Sequence, residues 1–253
     1  MKNIVFKALV AMIVFTAPTT ASAQRRVEGT VGADVISHYI WRGQDRGGFS
    51  IQPTMSASWQ GLSLGVDGST GFSSDDAQEI NVTLGYERWG VNIGVTDYWE
   101  TGIEENNRYL HVEKDGAHQL EGNIGYTCKY FSLQAYTVFW GRDRKWNGDR
   151  AYSTYVELGV PFTVGGIDWR LRGGFTPFES AGERTPRVEN GYYTGKYDFS
   201  YYYAEGFACV EAALRATKTL DIGFSKMPVF AELNVNPYLQ TAQMVFGITI
   251  QPF

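Results

Sequence analysis

From Val27 onward the chain alternates apolar and polar side chains with a period of two. In the stretch Leu62 to Trp89, Leu62, Leu64, Val66, Thr70 and Phe72 share one parity, while Ser63, Gly65, Asp67 and Ser69 share the other. After a polar link from Ser73 to Gln78, Ile80, Val82, Leu84 and Tyr86 alternate with Glu79, Asn81, Thr83, Gly85 and Glu87. Neighbouring side chains of a strand point to opposite faces, so this stretch predicts a two-faced β-hairpin. Runs around Met55, Ile93, Ile124, Leu133, Leu158, Leu171, Leu214, Leu233 and Phe246 repeat the pattern, and about twelve strands result, the first drawn from Val27 to Trp41.

The links between these runs alternate in length. Gln60-Gly61, Arg88 to Gly90, Lys129-Tyr130 and Thr163 to Gly166 are tight, whereas Glu100 to Ala117 and Pro177 to Glu205 are long and polar. Tight turns at one end and longer loops at the other are the arrangement of membrane barrels. Thr217 to Pro228 breaks the rule, because a tight turn is expected there. Trp59, Tyr86, Trp89, Tyr130, Phe131 and Phe162 gather near the tight turns, and Tyr39, Trp41, Phe72, Trp99, Phe139, Trp140 and Phe175 near the long ones, as two interfacial girdles would. If the apolar face is outside, Asp67, Glu79, Glu87, Glu121, Glu157, Asp168, Arg170, Arg172, Glu211, Arg215 and Glu232 face inward. The pattern predicts an all-β, transmembrane, antiparallel up-and-down β-barrel; a soluble periplasmic β-sandwich shows the same alternation.

The first residues change the picture only by setting the compartment. Lys2 and Lys7, the apolar run Ala8 to Phe15 and the small residues Ala21-Ser22-Ala23 read as a signal peptide over 1–23, which leaves 24–253 as a single barrel domain. No later stretch approaches the length of an apolar membrane helix. With 29 Gly, 16 Tyr, 15 Phe and 7 Trp, composition favours strands and turns over helices. The formal charge of −5 argues against nucleic acid as a partner. Cys128 falls on the apolar parity and Cys209 on the polar one, and two unpaired thiols are the favoured reading over a disulfide.

The run Ser37-His38-Tyr39-Ile40-Trp41-Arg42-Gly43-Gln44, with Gly47-Gly48 and Ser50-Ile51-Gln52-Pro53 after it, resembles the N-terminal signature of an uncharacterised outer-membrane β-barrel family of Gram-negative bacteria. That signature carries a Tyr-x-Phe/Trp-Arg-Gly segment, and His38 stands where an Asp or Ser is often expected. The resemblance implies fold and location and lends no activity. Phe253 resembles the terminal aromatic read by barrel-insertion machinery, although Met244, Phe246, Ile248 and Ile250 lie on the other parity.

His38, His111 and His118 invite an enzyme reading, but no nucleophile elbow, zinc motif or phosphate loop accompanies them, so no catalytic residue, metal or cofactor is assigned. Asp67, Glu79, Glu121, Glu157, Arg170, Arg172, Glu211, Arg215 and Glu232 are the expected pore lining, with acids balancing arginines across the lumen. Arg42 is expected at the mouth, either as an interface arginine or as a residue selecting solutes. The expectation is a narrow passive channel for small polar solutes, seated in outer-membrane lipid. A lipid-modifying enzyme, a sealed structural or adhesive barrel, and the soluble sandwich are the alternatives.

Overall fold

The computed structural model describes residues 27–73, 78–101, 108–112, 116–189, 192–223 and 226–251. The segment 1–23 and Phe253, and with them the signal-peptide and insertion-signal expectations, lie outside the described residues.

Twelve strands close into one antiparallel barrel. In chain order they are β1 (Glu28–Ile36), β4 (Ser50–Trp59), β5 (Leu62–Gly71), β6 (Gln78–Arg88), β7 (Val91–Glu100), β8 (His118–Thr127), β9 (Ser132–Trp140), β10 (Thr154–Val164), β11 (Ile167–Thr176), β14 (Ala208–Asp221), β15 (Lys226–Asn236) and β16 (Thr241–Ile250). Each pairs with its sequence neighbour around the barrel, and β1 pairs with β16 from Ala33↔Ile250 to Ile36↔Gly247, which leaves no open edge and rules out a sandwich. Two further hairpins stand apart from the wall: β2 (Tyr39–Trp41) with β3 (Gln44–Gly47), and β12 (Gly182–Glu189) with β13 (Tyr192–Tyr201).

Parity assigns the faces as the sequence predicts. Leu64, Leu84 and Val95 are successive cross-strand partners, Val66 pairs with Val82 in the next row, and Leu64, Leu84, Ile93, Leu133, Leu171, Leu233 and Met244 are all exposed on the outside. Inside, Glu121, Glu211, Glu232, Asn234 and Asn236 are each 4% exposed or less. The interior of this barrel is therefore polar and its exterior apolar.

Three of the four tight turns share one geometry. Gln60-Gly61, Trp89-Gly90 and Gly165-Gly166 all have positive φ, the two-residue hairpin turn whose twist matches that of the flanking strands. The suspect link from Thr217 to Pro228 is also short, because β14 runs on to Asp221 and β15 starts at Lys226, with Thr219 opposite Pro228. The excess length is strand.

Two expectations need correction. The first strand does not reach Trp41: it ends at Ile36, Ser37 donates its N–H to Phe246 O (2.8 Å) and accepts the Phe246 N–H on Oγ (2.9 Å), and the chain then turns inward. Tyr39 and Trp41 are accordingly inside the barrel and not in a girdle. Cys209 does not keep the polar parity. Between β11 and β14 the register shifts at Gly174/Phe175, so that Val210 is the extra residue of a bulge, Cys209 pairs with outward Phe175, and both Val210 and Glu211 are buried. Both cysteines are unpaired.

Candidate functional site

The site is built around the β2–β3 hairpin. Trp41 pairs with Gln44, which leaves Arg42-Gly43 as a two-residue turn with φ of 52° and 75°. Arginine in the left-handed region costs about 1 kcal/mol, so something must hold it there. The Arg42 guanidinium donates to both Glu121 carboxylate oxygens at 2.7 Å and to the Tyr203 hydroxyl at 2.7 Å. Its carbon lies 4.4 Å from the Trp41 ring centroid, 4.2 Å from that of Tyr136 and 4.9 Å from that of Tyr155. Fork-shaped, weakly hydrated and planar, guanidinium is the cation suited to such a bidentate, ring-walled pocket. Gly43 is required for a second reason: a Cβ there would sit 2.0 Å from the Val210 carbonyl oxygen, on the bulge. Asn236 Nδ2 donates to the Gly43 carbonyl at 3.1 Å.

Arg42, expected at the mouth, is thus inside the barrel, its side chain 9% exposed against 2% for Glu121. The rest of the hairpin is fastened in turn. The Tyr39 hydroxyl donates to Glu79 (2.5 Å), Arg46 to Glu100 (2.5 Å), Gln243 to Asp45 (2.9 Å), and Gln44 to the Tyr202 carbonyl. Ile40 and Tyr39 pack on Ile36, Phe230 and Val245. Burial pushes the Asp45 carboxyl up, but hydrogen bonds from His38 and Gln243 outweigh it and hold the carboxyl below the usual range.

From the opposite side the chain after β13 also enters. Ser180 Oγ accepts the N–H groups of Tyr203 (2.8 Å) and Ala204 (3.1 Å), and Tyr203 packs with Tyr155 and Val210. Tyr155 reaches Glu211 with its hydroxyl (2.5 Å) across Gly174, where any Cβ would lie 2.3 Å from that oxygen.

Several of the remaining inward charges are tied together. Arg172 meets Glu232 at 2.8 Å and Glu211 at 3.2 Å, Arg215 meets Glu232 at 2.6 Å, and Arg170 meets Glu157 at 3.1 Å. Asp67 accepts from Asn81 at 2.8 Å. The structure therefore brings Arg172, Glu211, Arg215 and Glu232 into one network, places Glu157 with Arg170 beside it, and sets Asp67 and Glu79 apart on the β5–β6 wall. Glu121 meets Arg42 and not Arg170, Arg172 or Arg215. Arg46, Glu100, Tyr98 and Tyr155 were not singled out in the sequence, where nothing but the hairpin turn at Arg42-Gly43 would have drawn attention to the first of them.

Two cavities flank the hairpin. One of 390 Å³ opens at the long-loop end beside Trp41, Arg46, Glu79, Tyr98, Glu100 and Asp143. The other, of 400 Å³, lies toward the short-turn end between Asp34, Tyr39, Trp41, Thr54, Asp67 and Glu79. They share Trp41 and Glu79. Asp143, in the link after β9, has its carboxyl pushed up by burial, against the pull of hydrogen bonds from Ser153.

His118 lies on the outward parity, opposite Trp99, with Nδ1 3.0 Å from Asp97 and Nε2 2.6 Å from the Tyr109 carbonyl. Both ring nitrogens are engaged within the protein. His38 is engaged with Asp45 at 2.9 Å. Among the described residues no group of three or more potential ligands could hold a metal ion.

No family model matches the chain, and no curated protein does. A solved structure from work on the in-meso crystallization of membrane proteins is similar over 89% of this chain and 83% of that one, at 10% sequence identity and a TM-score of 0.44.

Proposed function

We propose that the chain is an outer-membrane barrel in contact with lipid over its apolar face, and that it passes small polar solutes along a narrow route beside the β2–β3 hairpin. The observation that carries this reading is the pair of cavities inside the barrel that share Trp41 and Glu79 in their linings, one toward the long loops and one toward the short turns. The lipid setting is supported by the closed edge, by barrel strands of 9 to 14 residues, and by an outward band of leucine, isoleucine and valine. Trp59, Trp89, Tyr126 and Tyr130 stand exposed at the short-turn end, and Phe49, Phe72 and Phe139 at the other.

Arg42 and the tyrosines around it fill the middle of the lumen, which makes the route far narrower than twelve strands alone allow. A lipid-modifying enzyme is disfavoured by the occupied nitrogens of His118. Reconstituted in planar bilayers, the purified protein is expected to show small, discrete conductance steps. A folded sample, identified by heat-modifiable migration on a detergent gel, that never conducts would leave the sealed barrel as the reading.

A further inference from the structure

One outward sector of the wall departs from the apolar rule. Ile93 and Val95 face out on β7, and the same parity carries Asp97 and Trp99. Trp99 pairs with His118 on β8, so a carboxylate and an imidazole stand on the outer side of the barrel. Nδ1 of His118 lies 3.0 Å from both Asp97 oxygens. Bare to acyl chains, such a pair is costly. Here it is covered, and His118 is 2% exposed although its parity points out.

The cover comes from the link after β7. Tyr109 presents its carbonyl to His118 Nε2 at 2.6 Å, and its ring lies 5.4 Å from the imidazole at 63° and 5.5 Å from the Trp99 ring at 71°. The His111 N–H closes a turn on the Arg108 carbonyl at 2.9 Å. The segment from Arg108 to Val112 therefore lies against the outside of the wall. Its own free side is apolar: Leu110 is 81% exposed and Val112 62%. Its depth is that of Trp99, one residue from the end of β7, whose neighbour Ile80 on β6 is 40% exposed on the same face. The turn thus extends the outward apolar band at the level of the aromatic girdle.

We propose that Arg108 to Val112 is an interfacial clip seated in the outer leaflet of the membrane. Leu110 and Val112 lie among the acyl chains, and Arg108 and Tyr109 stand at the polar boundary, where such side chains keep a charged or hydroxyl end in water. Lipid is the occupant because the turn is continuous with the outward band of β6, β7 and β8. Holding the tip in lipid keeps Tyr109 over the Asp97–His118 pair. The inference rests on the reading of the chain as a membrane barrel and is independent of conduction.

Spin labels on the full chain in phosphatidylcholine vesicles test it, with Cys128→Ala and Cys209→Ala removing the native thiols. Labels carried by Leu110→Cys or Val112→Cys should relax faster with oxygen, which concentrates among acyl chains, than with a water-soluble nickel chelate. Leu133→Cys on the wall should behave in the same way, and Lys196→Cys on the β12–β13 hairpin should show the reverse order. Nickel ahead of oxygen at 110 and 112 but not at 133 overturns the clip and keeps the membrane barrel; nickel ahead at 133 as well overturns both. Weak relaxation by either agent at 110 means that protein covers the turn, and that also overturns the proposal. If the cysteine-free background fails to fold, Leu110→Asp with Val112→Asp in the chain with its own cysteines decides the matter. In vesicles trypsin should cut after Arg108 severalfold faster in that variant than in the wild type, and equal rates overturn the clip.

Discussion

At the scale of single residues, the Arg42–Glu121 pair decides what the interior of the barrel is. Burying two charges is expensive, and the pair repays the cost only because Glu121 takes both guanidinium bonds and also the Tyr98 hydroxyl at 3.0 Å. Removing one partner leaves the other charged and buried. Arg42→Met should therefore lower the unfolding free energy by about 3–5 kcal/mol in guanidinium chloride titrations of the lipid-reconstituted protein. Adding Glu121→Leu should recover more than half of that loss, since an apolar pair of similar volume replaces an ionic one at little net cost. Equal losses in the single and double variants would mean that the pair does not hold the hairpin in place. Arg42→Lys is not a conservative change here, because an ammonium cannot form the fork or lie flat between Trp41 and Tyr136.

At the scale of elements, the β2–β3 hairpin makes the difference between a wide lumen and a narrow one. Gly43→Ala is the smallest change that should unseat it, because the new Cβ meets backbone at Val210 and the residue must hold a φ of 75°. Its expected outcome is a several-fold larger conductance step. Gly48→Ala, where a Cβ meets open space, should leave the step unchanged. Equal steps in the two variants would show that the hairpin does not restrict the route. The wall strands were legible in the sequence because one face of each must be apolar along its whole length, so that parity reports the face. The hairpin was not legible for the same reason: Tyr39 and Trp41 keep the parity of Val31 and Val35, and a longer first strand fits the pattern equally well. The signal against that reading is chemical, a two-residue turn ending in Gly between Trp41 and Gln44. The Val210 bulge was hidden by composition, since the run Ala208 to Ala213 is small or apolar on both parities apart from Glu211. Which acid meets which arginine depends on distances across the lumen, and no local pattern records those.

At the scale of the whole molecule, the inward charges are unevenly distributed. On the β10–β15 side, Arg170, Arg172 and Arg215 face Glu157, Glu211 and Glu232, three against three, and Arg42 offsets Glu121. The two cavities are lined by Asp34, Asp67, Glu79, Glu100 and Asp143 against Arg46, bonded to Glu100, and Arg142. If the barrel conducts as proposed, the route runs along this acidic wall, where the two cavities lie. A narrow passage with low-dielectric walls focuses the field of its charges, so cations should be enriched in it and anions excluded. In an asymmetric KCl gradient the reversal potential should carry the sign of a cation-preferring pore, more strongly at low salt, where screening is weakest. Asp67→Asn with Glu79→Gln should move that potential toward zero, because each substitution removes a charge from the stretch the two cavities share or adjoin. Arg170→Gln, on the packed side, should shift it much less. An anion-preferring wild type, or a potential indifferent to Asp67 and Glu79, would place the conducting path elsewhere in the barrel.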